Sequence, residues 1–398
     1  MARRSPDRRT RKNGAILMVG PCKKPEPSNS FPSPPGELCP PFGPRPSGPP
    51  EINDCWCSNR RRHQMMNTFP LPTIMLADAQ RNALSARIAA ETYPLNGPFA
   101  PYIARTGAAV SAVLEDGQRR MLADLPHLGA LVIDNVPVDA NVLSGPIDPE
   151  APIRAKPTGI SEAVLTGFVA QCGVPYAIVQ EGRSLVSNVA AKLGRTKTLT
   201  GLGAVQLNPH IENAFGRTFR QDRSPAGLAL IGVCREPGGS PATYVADGRI
   251  ALDMLSEEDR AILFEERFWI RRPERWRRTD MPTERRTAVV VPGPGDRIAL
   301  IIATYGDMIR ADDDRAAVAL QAFIRALQTV AVGVVIDPGR LILIDNRCML
   351  HGRCGYAATF TRDGAPYRWL QRLFWTDALD QFGGWQAGDH LIDTLREP

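Results

Sequence analysis

Histidine is scarce in this 398-residue chain, which has five. Chemistry that needs an imidazole therefore has few places to happen. His63, His127 and His390 lie in stretches with no other chemical signal. His210 has an acid two residues on, Glu212, and His351 follows the apolar run Leu341–Ile344. Cysteine is present eight times (Cys22, Cys39, Cys55, Cys57, Cys172, Cys234, Cys348, Cys354) but never as CxxC, which argues against a zinc ribbon or a thioredoxin-type redox pair. Cys55-Trp56-Cys57 reads as a bystander pair, and a chain this long without secretion signals does not need a disulfide framework. No apolar run approaches the roughly 18–20 residues of a membrane span. Residues 14–20 follow a basic start and imitate a signal peptide, but the apolar core is short and no small-residue cleavage site follows. A cytoplasmic protein without membrane partners is expected. There is no internal repeat.

The formal charge of +6 is unevenly distributed. Residues 1–66 hold 12 Lys/Arg against 5 Asp/Glu, and 13 of the 36 prolines. The rest of the chain holds 36 basic and 37 acidic residues, so the basicity belongs to the tail and argues against a nucleic-acid surface on the body. The tail composition cannot bury enough apolar surface to offset ordering entropy and predicts disorder. A basic arm for an acidic partner is the functional alternative, and Met65 or Met66 would serve as a later start. Residues 67–398 are left as one folded domain, 43% of the whole chain being hydrophobic.

Helical spacing marks residues 76–90, 107–125, 160–171 (starting at Ser161), 247–267 (with Ser256 as an N-cap) and 312–329. Strand-like runs mark 129–134, 176–179, 184–189, 228–234, 242–246 (read as the hairpin partner of 228–234), 297–302, 332–336, 341–344 and 367–375. Residues 138–158 and 190–203 read as loops. The basic cluster Arg271–Arg278 reads as a solvated loop or active-site cover. Scattered strands without βαβ alternation favour a mainly β, α+β body built as an antiparallel double-sheet barrel.

In an extended segment His210 and Glu212 share a face, because strand side chains alternate with period two. With His351 from a distant strand they would form the two-His, one-carboxylate facial set that leaves open positions on a non-haem Fe(II). H-x-[DE] alone is common by chance, so the weight rests on what surrounds the two histidines.

Those surroundings run in a recognisable order: Asn208-Pro-His-Ile-Glu-Asn-Ala-Phe215, the 228–247 segment with Gly238-Gly239 and Thr243–Asp247, Pro338-Gly339, Asp345-Asn-Arg347, His351-Gly-Arg353 and Arg368-Trp-Leu-Gln-Arg372. This resembles the clavaminate synthase-like branch of the TauD-type Fe(II)/2-oxoglutarate dioxygenases. It is most similar to the hydroxylases that act on Cβ of free arginine and asparagine in peptide-antibiotic pathways. The resemblance spans about residues 110–378 and implies a double-stranded β-helix (jelly-roll) with flanking helices. It implies Fe(II) on His210, Glu212 and His351, and 2-oxoglutarate and O₂ as co-substrates. Arg368, helped by Thr243, would hold the distal carboxylate of 2-oxoglutarate, and Arg372 the substrate carboxylate. Asp307 falls where related enzymes meet the substrate side chain, and an acid there would favour a basic substrate such as arginine. Gln206, Ser187 and Asn188 are further polar candidates.

The chain departs from the family between His351 and Arg368, where about three extra residues lie within 357–366 and make Arg362 a competitor for the anion role. Tyr356 stands where phenylalanine is usual, and Arg340 replaces the common Asp of the turn. The implied activity is hydroxylation of an unactivated carbon of a free amino acid, with desaturation as a variant. A sulfonate or betaine oxygenase and a metal-free barrel serving as a binding module are the alternatives. Oligomeric state stays open.

Overall fold

The computed structural model describes residues 71–95, 97–151, 156–277, 279–382 and 390–393. The expected disordered tail, the four tail cysteines, Met65 and Met66 lie outside the described residues.

Two sheets face each other. The larger has eight strands. Its order runs Thr73–Met75, Ala130–Asp134, Arg340–Asp345, Gly227–Cys234, Trp369–Thr376, Val174–Ile178 and Leu391–Ile392, and Ser187–Ala190 also pairs with 369–376. The smaller runs Val332–Val334, Thr243–Asp247, Met349–Arg353 and Leu207–His210. All pairings are antiparallel except 73–75 with 130–134 and 391–392 with 174–178.

Strand 340–345 shows why its sequence is a near-continuous apolar run. Ile342 and Ile344 turn inward to Leu228, Leu230, Val245 and Met349, the layer between the sheets. Leu341 and Leu343 turn outward to a helical layer holding Leu84, Val110, Leu165 and Phe168. Period-two alternation serves two apolar environments, so both sets of residues must be hydrophobic. The smaller sheet is backed by Ala246 and Leu350 against Phe323 and Leu327 of helix Asp314–Val330.

Three local expectations are corrected. The helix expected over 107–125 is two, Ala100–Ser111 and Asp116–Ala123, because the Glu115 amide donates to Gln118 Oε1 (3.0 Å) and restarts the chain at a new N-terminus. The helix expected over 247–267 is likewise split into Gly248–Asp253 and Glu257–Leu263, with Ser256 capping the second by accepting from the Asp259 amide (3.1 Å). Strand 243–247 does not pair with 227–234. It crosses to the smaller sheet and lies between 332–334 and 349–353. Both segments read as strands, and periodicity does not assign a strand to its sheet.

A buried ionic cluster fastens the loop before helix Ile160–Val169 to the back of strand 369–376. Lys156 Nζ lies 2.6 Å from Asp139 Oδ2 and 2.5 Å from Glu162 Oε2, and these side chains are 2%, 1% and 1% exposed. Asp139 also accepts from the Ile160 and Ser161 amides (3.1 Å each), capping the helix from 21 and 22 residues away. Ser161 therefore does not cap its own helix. Its hydroxyl donates to Gln371 Oε1 (2.8 Å), and Gln371 Nε2 donates to Glu162 Oε1 (2.7 Å).

Candidate metal centre and its cavity

Strand 207–210 ends on His210, directly opposite His351 in the neighbouring strand. This close approach needs Gly352, where a Cβ would sit 2.6 Å from the Leu207 carbonyl oxygen. Glu212 is not on the strand. It lies in a turn whose next residue, Asn213, has φ +52°. Asn346 holds that turn in place: the Glu212 amide donates to its Oδ1 (2.7 Å), and its Nδ2 donates to the Glu212 and Pro225 carbonyls (3.0 Å each). The fully extended segment expected from the sequence is thus corrected to a strand plus a clamped turn. Asn346, buried in the Asp345–Arg347 motif, is the residue that sequence reasoning quoted without giving it a role.

His210, Glu212 and His351 are all buried and offer ligand atoms within 4.8 Å of one another. His351 Nε2 stands 3.9 Å from Glu212 Oε2, and the two imidazole centroids are 4.3 Å apart. His210 Nδ1 lies 3.1 Å from the Asn208 carbonyl, which can only accept, so Nδ1 carries a proton and donates there. Burial, reinforced by neighbouring His210, pushes the His351 imidazole down to about 3, so it stays neutral. Two imidazoles, that of His351 held neutral, and a carboxylate are a donor set suited to Fe(II).

The triad forms part of the lining of a cavity of 700 Å³. Leu207, Leu228, Leu230 and Leu370 make much of its inner wall apolar. Arg195 and the loop residues Lys197 to Gly201 also line it, as do Pro273, Glu274 and Arg277 of the basic segment.

Strand 369–376 and the residue before it deliver Arg368, Leu370 and Arg372 to the cavity, while Trp369 and Gln371 face the other way. Arg368 is 3% exposed, and its Nε and Nη1 have no hydrogen-bond partner. Arg362 is exposed and does not line the cavity. The loop that holds the excess residues is fastened where the Thr359 amide donates to Glu236 Oε1 (3.1 Å). Thr243 is buried, lines the cavity and sits opposite Arg353. Arg372 Nη1 donates to Glu212 Oε2 (3.0 Å), and Nη2 donates to Glu181, a contact the sequence did not suggest. Its Nε is buried without a partner.

The remaining expected polar contacts are less central. Asp307 reaches the rim, but its side chain is 73% exposed and is ion-paired with Arg271. Gln206 is not in the lining; its Nε2 donates to Asn208 Oδ1 (2.7 Å). Asn188 accepts from Trp369 Nε1 (3.0 Å) and donates to the Pro149 carbonyl, and Ser187 donates to the Arg372 carbonyl, so both support the strand.

The model of the family described as taurine catabolism dioxygenase TauD, TfdA family matches residues 198–374, which include the triad, Arg368 and Arg372. This chain carries a TauD/TfdA-family domain. The L-asparagine oxygenase of Streptomyces coelicolor is 28% identical over 253 residues, covering 62% of this chain and 70% of that one. The fold of the TauD-domain chain is also that of two solved oxygenases. Asparagine oxygenase, solved with Fe(II), 2S,3S-3-hydroxyasparagine and succinate, superposes with TM-score 0.68 at 22% identity, over 81% of this chain and 99% of that one. The non-heme iron oxygenase OrfP, solved with Fe and alpha-ketoglutaric acid, gives TM-score 0.67 at 23% identity over 81% and 99%. The TauD-domain protein therefore has the jelly-roll architecture expected of it. Among its described residues no helix is long and apolar enough to cross a membrane.

Proposed function

We propose that residues 67–398 form an Fe(II)/2-oxoglutarate-dependent oxygenase that hydroxylates an unactivated carbon, Cβ, of a free amino acid. The observation that carries this reading is a buried His-Glu-His triad in the same cavity as a buried guanidinium with unpartnered donors. The relatives bind or act on asparagine- and arginine-derived amino acids, which supports the substrate class. His210, Glu212 and His351 would hold the metal, with the His351 imidazole kept neutral by burial. Bound there, Fe(II) with 2-oxoglutarate and O₂ supplies the C–H oxidation, and the co-substrate leaves as succinate and CO₂.

The remaining work belongs to the chain. A carboxylate entering an apolar barrel needs a permanent cation with a forked donor set, which Arg368 offers, with the Thr243 hydroxyl beside it. Arg372 orients Glu212 through one nitrogen and keeps Nε for a substrate carboxylate. The leucine wall excludes water from the reacting carbon. Asp307 would meet a basic substrate side chain at the rim by giving up Arg271.

The test is succinate formation by the purified protein with Fe(II) and 2-oxoglutarate across free amino acids, including arginine, asparagine and cyclic-guanidine residues. Stoichiometric succinate with a hydroxylated product is expected, and product mass separates hydroxylation from desaturation. If anaerobic titration shows binding of neither Fe(II) nor 2-oxoglutarate, the enzyme reading fails and a metal-free binding barrel replaces it.

A further inference from the structure

A second buried guanidinium lines the cavity beside Arg368. Arg353 closes strand 349–353, opposite Thr243, and is 6% exposed. Its Nη2 donates to the Val205 carbonyl (2.9 Å), while its Nε is buried without a partner. The ring of Tyr356 lies 5.5 Å from the Arg353 guanidinium carbon and 5.4 Å from that of Arg368. Two cations thus share one phenol ring and present three unpartnered buried donors, Nε of Arg353 and Nε and Nη1 of Arg368. Among the described residues no carboxylate forms an ion pair with either. Glu236 is engaged by Thr359, and Asp337 accepts from Ser240 (2.5 Å). Two adjacent buried cations without a counter-ion repel each other and leave donors desolvated. Both costs are relieved by one anion whose two oxygens accept from both forks.

We propose that Arg353 shares with Arg368 the grip on the distal carboxylate of the co-substrate, so that the anion is held by a two-arginine clamp. This rests on the oxygenase reading above. The clamp makes the second carboxylate the feature that selects the co-substrate: a 2-oxo acid lacking it leaves both cations uncompensated.

The experiment compares wild type, Arg353→Met and Arg353→Lys, each full length and loaded with Fe(II) without O₂. It measures dissociation constants for 2-oxoglutarate and for 2-oxopentanoate, which has the same 2-oxo-acid chelate but no distal carboxylate. Losing charge-assisted hydrogen bonds should weaken 2-oxoglutarate about tenfold or more in Arg353→Met, with 2-oxopentanoate little changed. The wild-type preference between the two ligands therefore collapses. Arg353→Lys, which keeps the charge but loses the fork, should fall between the other two and guards against a Met variant that does not fold. Equal weakening of both ligands, or wild-type preference in a folded variant, overturns the clamp. Failure of the wild type to bind 2-oxoglutarate overturns the oxygenase reading instead.

Discussion

Replacing Lys156 with methionine should destabilise the protein, and the structure sets the size of the effect. The substitution keeps the stem of the side chain but removes the cation that lies within 2.6 Å of both Asp139 and Glu162. Both carboxylates stay at 1% exposure with no other ion pair among the described residues. Removing one partner of a buried pair costs about 3–5 kcal/mol. Here the lower end applies, about 3 kcal/mol, because Asp139 keeps the Ile160 and Ser161 amides and Glu162 keeps Gln371. In a body of this size that corresponds to a fall in melting temperature of roughly 4 °C. Urea unfolding followed by tryptophan fluorescence measures it as a lower midpoint at unchanged slope. Adding Glu162→Gln should recover part of the loss, because it removes one uncompensated charge and keeps hydrogen-bonding atoms for Gln371. A change below about 1 kcal/mol in Lys156→Met would refute the claim that this cluster anchors the loop to the strand that follows Arg368 and carries Arg372.

His210→Ala and Glu212→Ala should each abolish succinate formation from 2-oxoglutarate, read by a coupled succinate assay; full activity in either would remove that residue from the metal set. Arg368→Met should weaken 2-oxoglutarate by about a hundredfold or more through loss of two charge-assisted hydrogen bonds, while Arg362→Ala leaves it within about threefold; the two dissociation constants decide between the arginines. For Asp139, burial pushes the carboxyl up, but Lys156 and the hydrogen bonds around it outweigh burial and hold it below the usual value. Its stabilising contribution is therefore full above the unfolded value of about 3.9 and is lost as pH falls through the lower folded value. The stability gap between wild type and Asp139→Asn should accordingly stay constant from about pH 7 to 5 and narrow below about 4, as followed by urea midpoints.

Local composition determined much of this molecule. Apolar runs such as Leu341–Ile344 could only be buried strands, and the spacing of Ala316, Leu320, Phe323 and Leu327 could only bury one face of a helix. Five histidines, two of them beside an acid or an apolar strand, were few enough to single out the candidate metal triad. The family motifs drew attention to Arg368 and Arg372 before any coordinate. Strand partnership was decided only by the tertiary structure, because 227–234 and 243–247 both read as strands and differ in which sheet completes their hydrogen bonds. It also buried Arg368 in the cavity lining and left Arg362 exposed, a difference that charge and spacing do not reveal. The same holds for Asn346, Glu181 and Arg353. Asparagine, glutamate and arginine look alike anywhere in a sequence. What distinguishes these three is the set of atoms that 100 or more residues of intervening chain bring within 3 Å of them, such as Asn346 on Glu212 and Arg353 on Val205.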